Sequence, residues 1–249
     1  MPLAASLSCD ESIELPTFGV VKQPFPHVLQ KPFLPAPLFS ELRESFPPCP
    51  PSSGPTGYSL YWGDERYQNL LERSPAWQTL FNAFQSQRFV EWAQRQFAAE
   101  WLEDGCKIDF TRARYVPYFE DRTEKELAAL RKGQLTPHEL WVRMDIYQGH
   151  VGYARNIHRD HARRVLTMLI YFSDHEEDGM SGGELLLHPR PLRRWRERPV
   201  SLAPRENLMI AFPCSNRSYH SVAEIASARR PRNYMQIQIS SSGAASNRS

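Results

Sequence analysis

The stretch Asn156–Phe172, "NIHRDHARRVLTMLIYF", sets a His, an Asp and a second His directly before an apolar run rich in β-branched residues. Residues i and i+2 of an extended segment point the same way. His158 and Asp160 can therefore converge on one point while Arg159 faces elsewhere. His161 points to the other side and is the weaker candidate. A third donor has to come from a distant strand, and His220 in "CSNRSYHSVAEI", 62 residues further on, opens a β segment after a loop. Two imidazoles and one carboxylate on one face leave further coordination positions open, which suits non-haem Fe(II) oxygen chemistry. Zinc more usually takes a closed tetrahedron or a His-rich catalytic set.

Twelve residues after His220, Arg232 heads the run "RNYMQIQIS". A guanidinium fixed there can hold a carboxylate in bidentate fashion. Metal triad plus arginine describes a site for Fe(II) and a dicarboxylate such as 2-oxoglutarate. The kinase reading of "HRD" fails on context: the Asn expected five residues after the Asp is Val165, and no Gly-rich phosphate loop accompanies it.

Around this motif, short β segments are predicted at 140–148, 164–172, 184–188, 207–212, 219–225 and 233–240. Turn signals such as "DGMSGG" separate them and no long helix intervenes. The sheet should therefore be antiparallel and folded into a sandwich or barrel. Upstream, "KIDFTRARYVPYF" alternates like a half-buried strand, and "TEKELAALRK" opens with a capping box (Thr123, Glu126) and reads as a short helix or lid. Ser74 and Pro75 form an N-cap and first-turn pair. Trp77, Leu80, Phe81 and Phe84, then Phe89, Trp92, Phe97 and Trp101, continue a helical stripe that packs as core. A further helix is expected near 35–46, with Leu38, Phe39, Leu42 and Phe46 on one side. The expected organisation is a flexible N-terminus (1–15), a helical support region (16–138), a β core (139–240) and a flexible tail (241–249), all within one globular domain.

Composition bounds the function. The chain has 249 residues, 41% of them hydrophobic and 12% aromatic, enough to bury a substantial core. A formal net charge of +2, from 30 basic and 28 acidic side chains, points to no nucleic-acid partner. Four scattered cysteines form no disulfide framework, so a cytoplasmic setting is expected. No run has the ~18 apolar residues of a membrane span, and no signal peptide is read at the N-terminus. His27, His138, His150, His175 and His188 read as structural histidines, and Cys214 as a buried thiol rather than a ligand. The Pro-rich segment "HPRPLRRWRERP", with Arg190, Arg193, Arg194, Arg196 and Arg198, reads as a solvated loop or as a clamp for an anionic substrate.

Residues 143–240 resemble the catalytic core of the Fe(II)/2-oxoglutarate-dependent dioxygenases, in their prolyl-hydroxylase-like branch. The resemblance runs in order through "IYQGHVGYARNIHRD", "RRVLTMLIYFSD", "GGELLLHP", "AFPCSNRSYHSVAEI" and "RPRNYMQIQIS". It implies a mainly β fold with supporting helices, a double-stranded β-helix (a cupin-like jelly roll). It implies Fe(II), 2-oxoglutarate and O2, with ascorbate as reductant. His158, Asp160 and His220 match the iron ligands. Arg232 matches the partner of the far carboxylate of 2-oxoglutarate, with Arg230 as the alternative. Tyr171, Thr167, Leu169 and Tyr147 match positions lining the co-substrate pocket. The implied reaction is hydroxylation of an unactivated C–H bond in a small-molecule or amino-acid-type substrate, coupled to decarboxylation of 2-oxoglutarate to succinate. Asp160 favours hydroxylation over halogenation, which needs a small residue there. The alternatives are a peptidyl-prolyl hydroxylase acting on a protein and a non-catalytic metal-binding jelly-roll module.

Overall fold

The computed structural model describes residues 13–53, 56–117, 136–189, 198–241 and 245. Helix α1 (Ala36–Glu44) begins behind Pro35 and buries Leu38, Phe39 and Leu42. The chain leaves the helix before Phe46, whose ring packs instead against Trp77 and Phe172. The aromatic stripe divides into α3 (Pro75–Phe84) and α4 (Gln87–Glu103), preceded by α2 (Glu65–Arg73), which the sequence pattern did not suggest. Ser74 and Ser86 cap α3 and α4, their hydroxyls accepting from the amides of Trp77 and Phe89 at 3.4 and 3.3 Å. Each cap satisfies a backbone donor that the helix itself leaves unpaired.

The strands are β1 (Val28–Gln30), β2 (Pro51–Ser53), β3 (Gly57–Leu60), β4 (Arg114–Tyr115), β5 (Glu139–Gly149) and β6 (Arg155–His158). They continue with β7 (Arg164–Tyr171), β8 (Leu185–His188), β9 (Val200–Leu202), β10 (Met209–Pro213), β11 (Tyr219–Val222) and β12 (Arg232–Ser241). The larger sheet runs β1-β10-β7-β12-β5-β3-β2, with β4 added on β5, and the smaller one runs β6-β11-β8-β9. Pairing is antiparallel as expected, except that β4 runs parallel to β5. The architecture is mainly β, a jelly-roll core with a helical layer on one side.

Strand alternation assigns each face. On β5, β7, β10 and β12 the residues Val142, Met144, Leu166, Met168, Ile170, Ala211, Met235 and Ile237 join the helices in one apolar cluster. Their neighbours Leu169, Tyr171, Ile210, Phe212 and Tyr234 turn inward and pack with Leu185 and Leu187 of the smaller sheet. Burial on both faces accounts for the near-continuous apolar run of β7.

Three local expectations change. The strand read in "KIDFTRARYVPYF" shrinks to β4, because Asp109 accepts from the Thr111 amide at 3.0 Å and its hydroxyl at 2.6 Å, closing a 3₁₀ turn over Phe110–Arg112. Such side-chain-to-backbone bonds compete with strand pairing. Ile13 and Leu15, read as flexible, are buried in the core cluster. Ser241 and Ala245, read as tail, are buried too, and the Ala245 amide donates to the Ala162 carbonyl at 2.8 Å. The "TEKELAALRK" helix and Arg190 to Arg196 of the basic segment lie outside the described residues.

Candidate active site

β6 and β11 pair antiparallel with His158 opposite His220, and the two rings stand 4.3 Å apart between centroids. The turn after β6 delivers Asp160, whose Oδ1 lies 4.0 Å from His220 Nε2. One donor atom from each of His158, Asp160 and His220 falls within 4.8 Å of the others. The three form the candidate metal-ligating group found among the described residues. β6 itself was absent from the sequence reading, because "RNIH" is polar and exposed and carries no apolar alternation.

The surroundings prepare these atoms for a cation. His158 Nδ1 lies 2.8 Å from the Asn156 carbonyl and His220 Nδ1 lies 3.0 Å from the Ser218 carbonyl. With Nδ1 donating in each case, Nε2 is left as the ligating nitrogen. Asp160 Oδ2 accepts from the Thr167 hydroxyl at 2.5 Å. Burial opposes ionisation of Asp160, but His220, the Thr167 hydroxyl and Arg164 outweigh it and hold the carboxyl below its usual range. Burial lowers His220, which favours the neutral imidazole that ligation requires. Cys214 Sγ lies 3.6 Å from Asp160 Oδ2, yet burial and the nearby carboxylate push its pKa well up. It is a neutral thiol here, which agrees with its reading as structural. His161 sits on the cavity wall outside the triad, and Arg159 turns away to Asn216 at 2.8 Å and the Tyr219 ring.

Arg232 is fully buried. Its Nε donates to the Gly183 carbonyl at 2.7 Å and its Nη2 to the Tyr171 hydroxyl at 2.8 Å. The Tyr234 ring lies 4.4 Å from the guanidinium carbon. Burial works against the charge, but the surrounding Tyr171, Tyr234 and Tyr153 outweigh it and raise the pKa. Nη1 is buried with no hydrogen-bond partner, although the residue lines the cavity. An unpaired buried cationic donor costs free energy unless a ligand supplies the acceptor. Arg230 bonds to Asp178 at 2.5 Å on a surface loop and is largely exposed. The two candidate arginines are thereby placed in different surroundings.

The Gly183 carbonyl reaches Arg232 through a glycine pair. Gly182 and Gly183 take φ of +81° and +78°, and a Cβ on Gly182 would stand 1.8 Å from the Glu224 carbonyl oxygen. Only glycine fits.

A cavity of about 810 Å³ joins these groups. Its walls include Thr167, Leu169 and Tyr147, while Tyr171 lies beneath them in the core between the sheets. Sequence reasoning passed over Arg143, Asp145, Tyr234 and Gln238, which also line it. The available signal was strand parity: all occupy inward positions of β5 and β12, the parity of Tyr147.

Residues 141–237 match the family model described as the 2OG-Fe(II) oxygenase superfamily. This segment is a 2OG-Fe(II) oxygenase domain. That family implies Fe(II), 2-oxoglutarate and O2, and the residues present fit them: three ligating atoms with their outer nitrogens committed, and a buried guanidinium with an unmet donor. Among solved structures, the chain is similar to prolyl 4-hydroxylases from Phytophthora capsici at 15% identity, covering 86% of this chain and 58% of that one, with a TM-score of 0.50. It is also similar to a 2OG-Fe(II) oxygenase-family oxidoreductase from Burkholderia pseudomallei, at 15% identity over 89% of this chain and 87% of that one, TM-score 0.48. A third is the α-ketoglutarate-dependent epimerase SnoN of nogalamycin biosynthesis, at 14% identity over 86% and 76%, TM-score 0.48. No curated protein matches the sequence. Among the described residues no helix is long and apolar enough to cross a membrane.

Proposed function

We propose that the oxygenase domain binds Fe(II) through His158, Asp160 and His220, holds 2-oxoglutarate with Arg232, and hydroxylates a small molecule. The observation that carries this reading is the unmet Nη1 donor of a fully buried Arg232 in the same cavity as the triad. Tyr171 orients the guanidinium through its hydroxyl, and Tyr234 and Tyr147 stack at 5.2 Å to wall the co-substrate side. Burial raises both of these phenols, so they stay neutral and repel no carboxylate. Thr167 holds Asp160 in place, and Leu169 and Phe212 exclude water from beneath the triad. With iron, keto acid and O2 bound, the family chemistry couples decarboxylation of 2-oxoglutarate to succinate with oxidation of a substrate C–H bond. A cavity of about 810 Å³ suits a small organic molecule. Free thiols at Cys49, Cys106 and Cys214 agree with the cytoplasmic setting we assign to it.

Succinate release from 2-oxoglutarate under Fe(II) and O2 tests the reading. Asp160→Ala should reduce it more than about 100-fold, since loss of a ligand exceeds the 10–100-fold cost of losing a ligand's outer partner. Arg232→Met should raise the KM for 2-oxoglutarate, and Arg230→Ala should not. Equal behaviour of the two arginine variants would remove Arg232 from the role. An oxygen atom gained by a prolyl peptide, and by no small molecule, would shift the substrate class to protein.

A further inference from the structure

Among the described residues, three arginines of the larger sheet line the cavity: Arg164, which donates to the Ser240 hydroxyl at 2.5 Å, and Arg232 and Arg143, which lie far apart. Antiparallel register sets Arg232 opposite Gly149, Tyr234 opposite Tyr147, Gln236 opposite Asp145 and Gln238 opposite Arg143. Arg143 therefore lies six residues along β5 from the level of Arg232, roughly 20 Å at ~3.3 Å per residue. A keto diacid reaching from Arg232 to the triad is far too short to extend there. Gln238 also pairs with Thr167, the residue bonded to Asp160, so the Arg143 backbone lies two strands, roughly 10 Å, from that of Thr167, on the same cavity wall.

Arg143 is a held cation on the cavity wall. Its Nε bonds Asp145 Oδ2 at 2.6 Å, and its guanidinium carbon lies 5.3 Å from the centre of the Tyr61 ring. Asp145 is itself fixed: Oδ1 accepts from the Trp62 amide at 3.1 Å and Oδ2 also accepts from the Tyr147 hydroxyl at 3.3 Å. Both carboxylate oxygens are thus engaged, which leaves an incoming ammonium poorly served. Among the described residues, four arginines and three aspartates line the cavity.

We propose that Arg143, positioned by Asp145 and Tyr61, binds a carboxylate of the substrate, so that the enzyme oxidises a carboxylic acid held between this cation and the triad. The assignment rests on Arg232 serving 2-oxoglutarate, as proposed above. A charge-assisted pair in this setting corresponds to about 10–100-fold in affinity.

Calorimetry under nitrogen, on the full chain with and without Fe(II) and 2-oxoglutarate, tests it. The probes are the L-amino acids and straight-chain monocarboxylates, each against its primary amide. We expect at least one acid to bind tenfold or more tighter than its amide. Arg143→Gln should bring that ratio to within about twofold, as should Arg143→Gln paired with Asp145→Asn, which avoids leaving the buried carboxylate uncompensated. The proposal is overturned if no acid binds, if acids and amides bind alike, or if folded variants keep the preference. Failure of the broader reading shows separately, as absent succinate formation by the Fe(II)-loaded wild type. The acid-to-amide ratio remains measurable on metal-free protein in that case.

Discussion

On β7, Leu166, Met168 and Ile170 enter the apolar cluster shared with the helices, whereas Thr167, Leu169 and Tyr171 turn toward the smaller sheet and the cavity. The same alternation separates Val142, Met144 and Ile146 from Arg143, Asp145 and Tyr147 on β5. One face is interchangeable hydrocarbon pressed on Trp77, Trp92 and Trp101. The other mixes apolar side chains such as Leu169 and Phe212 with polar groups fixed by specific bonds, among them Thr167 to Asp160, Arg143 to Asp145 and Arg232 to Tyr171. A slip of one residue would exchange the two faces entirely, so pairing that stabilises the outer side also aims the inner one.

Substitutions at adjacent positions should pull these roles apart. Met168→Ala removes buried apolar volume against the helices and should cost about 2–5 kcal/mol of stability in a urea titration. Metal affinity of the folded fraction should stay within twofold. Thr167→Val keeps the volume but deletes the hydroxyl that donates to Asp160 and accepts from Gln238 at 3.2 Å. Fe(II) affinity should fall about 10–100-fold by anaerobic titration. If Met168→Ala weakened metal binding as much as Thr167→Val, the separation of the faces would not hold. Far from both, Ser74→Ala removes the α3 cap and should cost about 1 kcal/mol, visible as a lower Tm with succinate formation per folded molecule unchanged.

The outer face was readable from residue order because its signal is local. Helical spacing marks α3 and α4, and continuous apolar runs mark β7 and β10. The triad was readable because His158 and Asp160 sit two apart and His220 follows a loop into a strand. The remainder of the inner face was not, for a physical reason. Arg143, Gln238 and Thr167 become neighbours only through the register of three strands distant in sequence. Nothing in "WVRMDIYQG" distinguishes Arg143 from a solvated charge until β12 lies beside it. β6 escaped notice for the opposite cause: it is held by pairing with β11 while most of its side chains face outward.

The glycine pair at 182–183 has a bearing on how portable this chemistry is. Arg232 can shed its hydration shell because the Gly183 carbonyl is waiting for it, and that oxygen is aimed by a backbone turn with no room for even one methyl group at position 182. Grafting the three ligands and the arginine onto another barrel would therefore leave the guanidinium wet and wandering. The turn would have to travel with them.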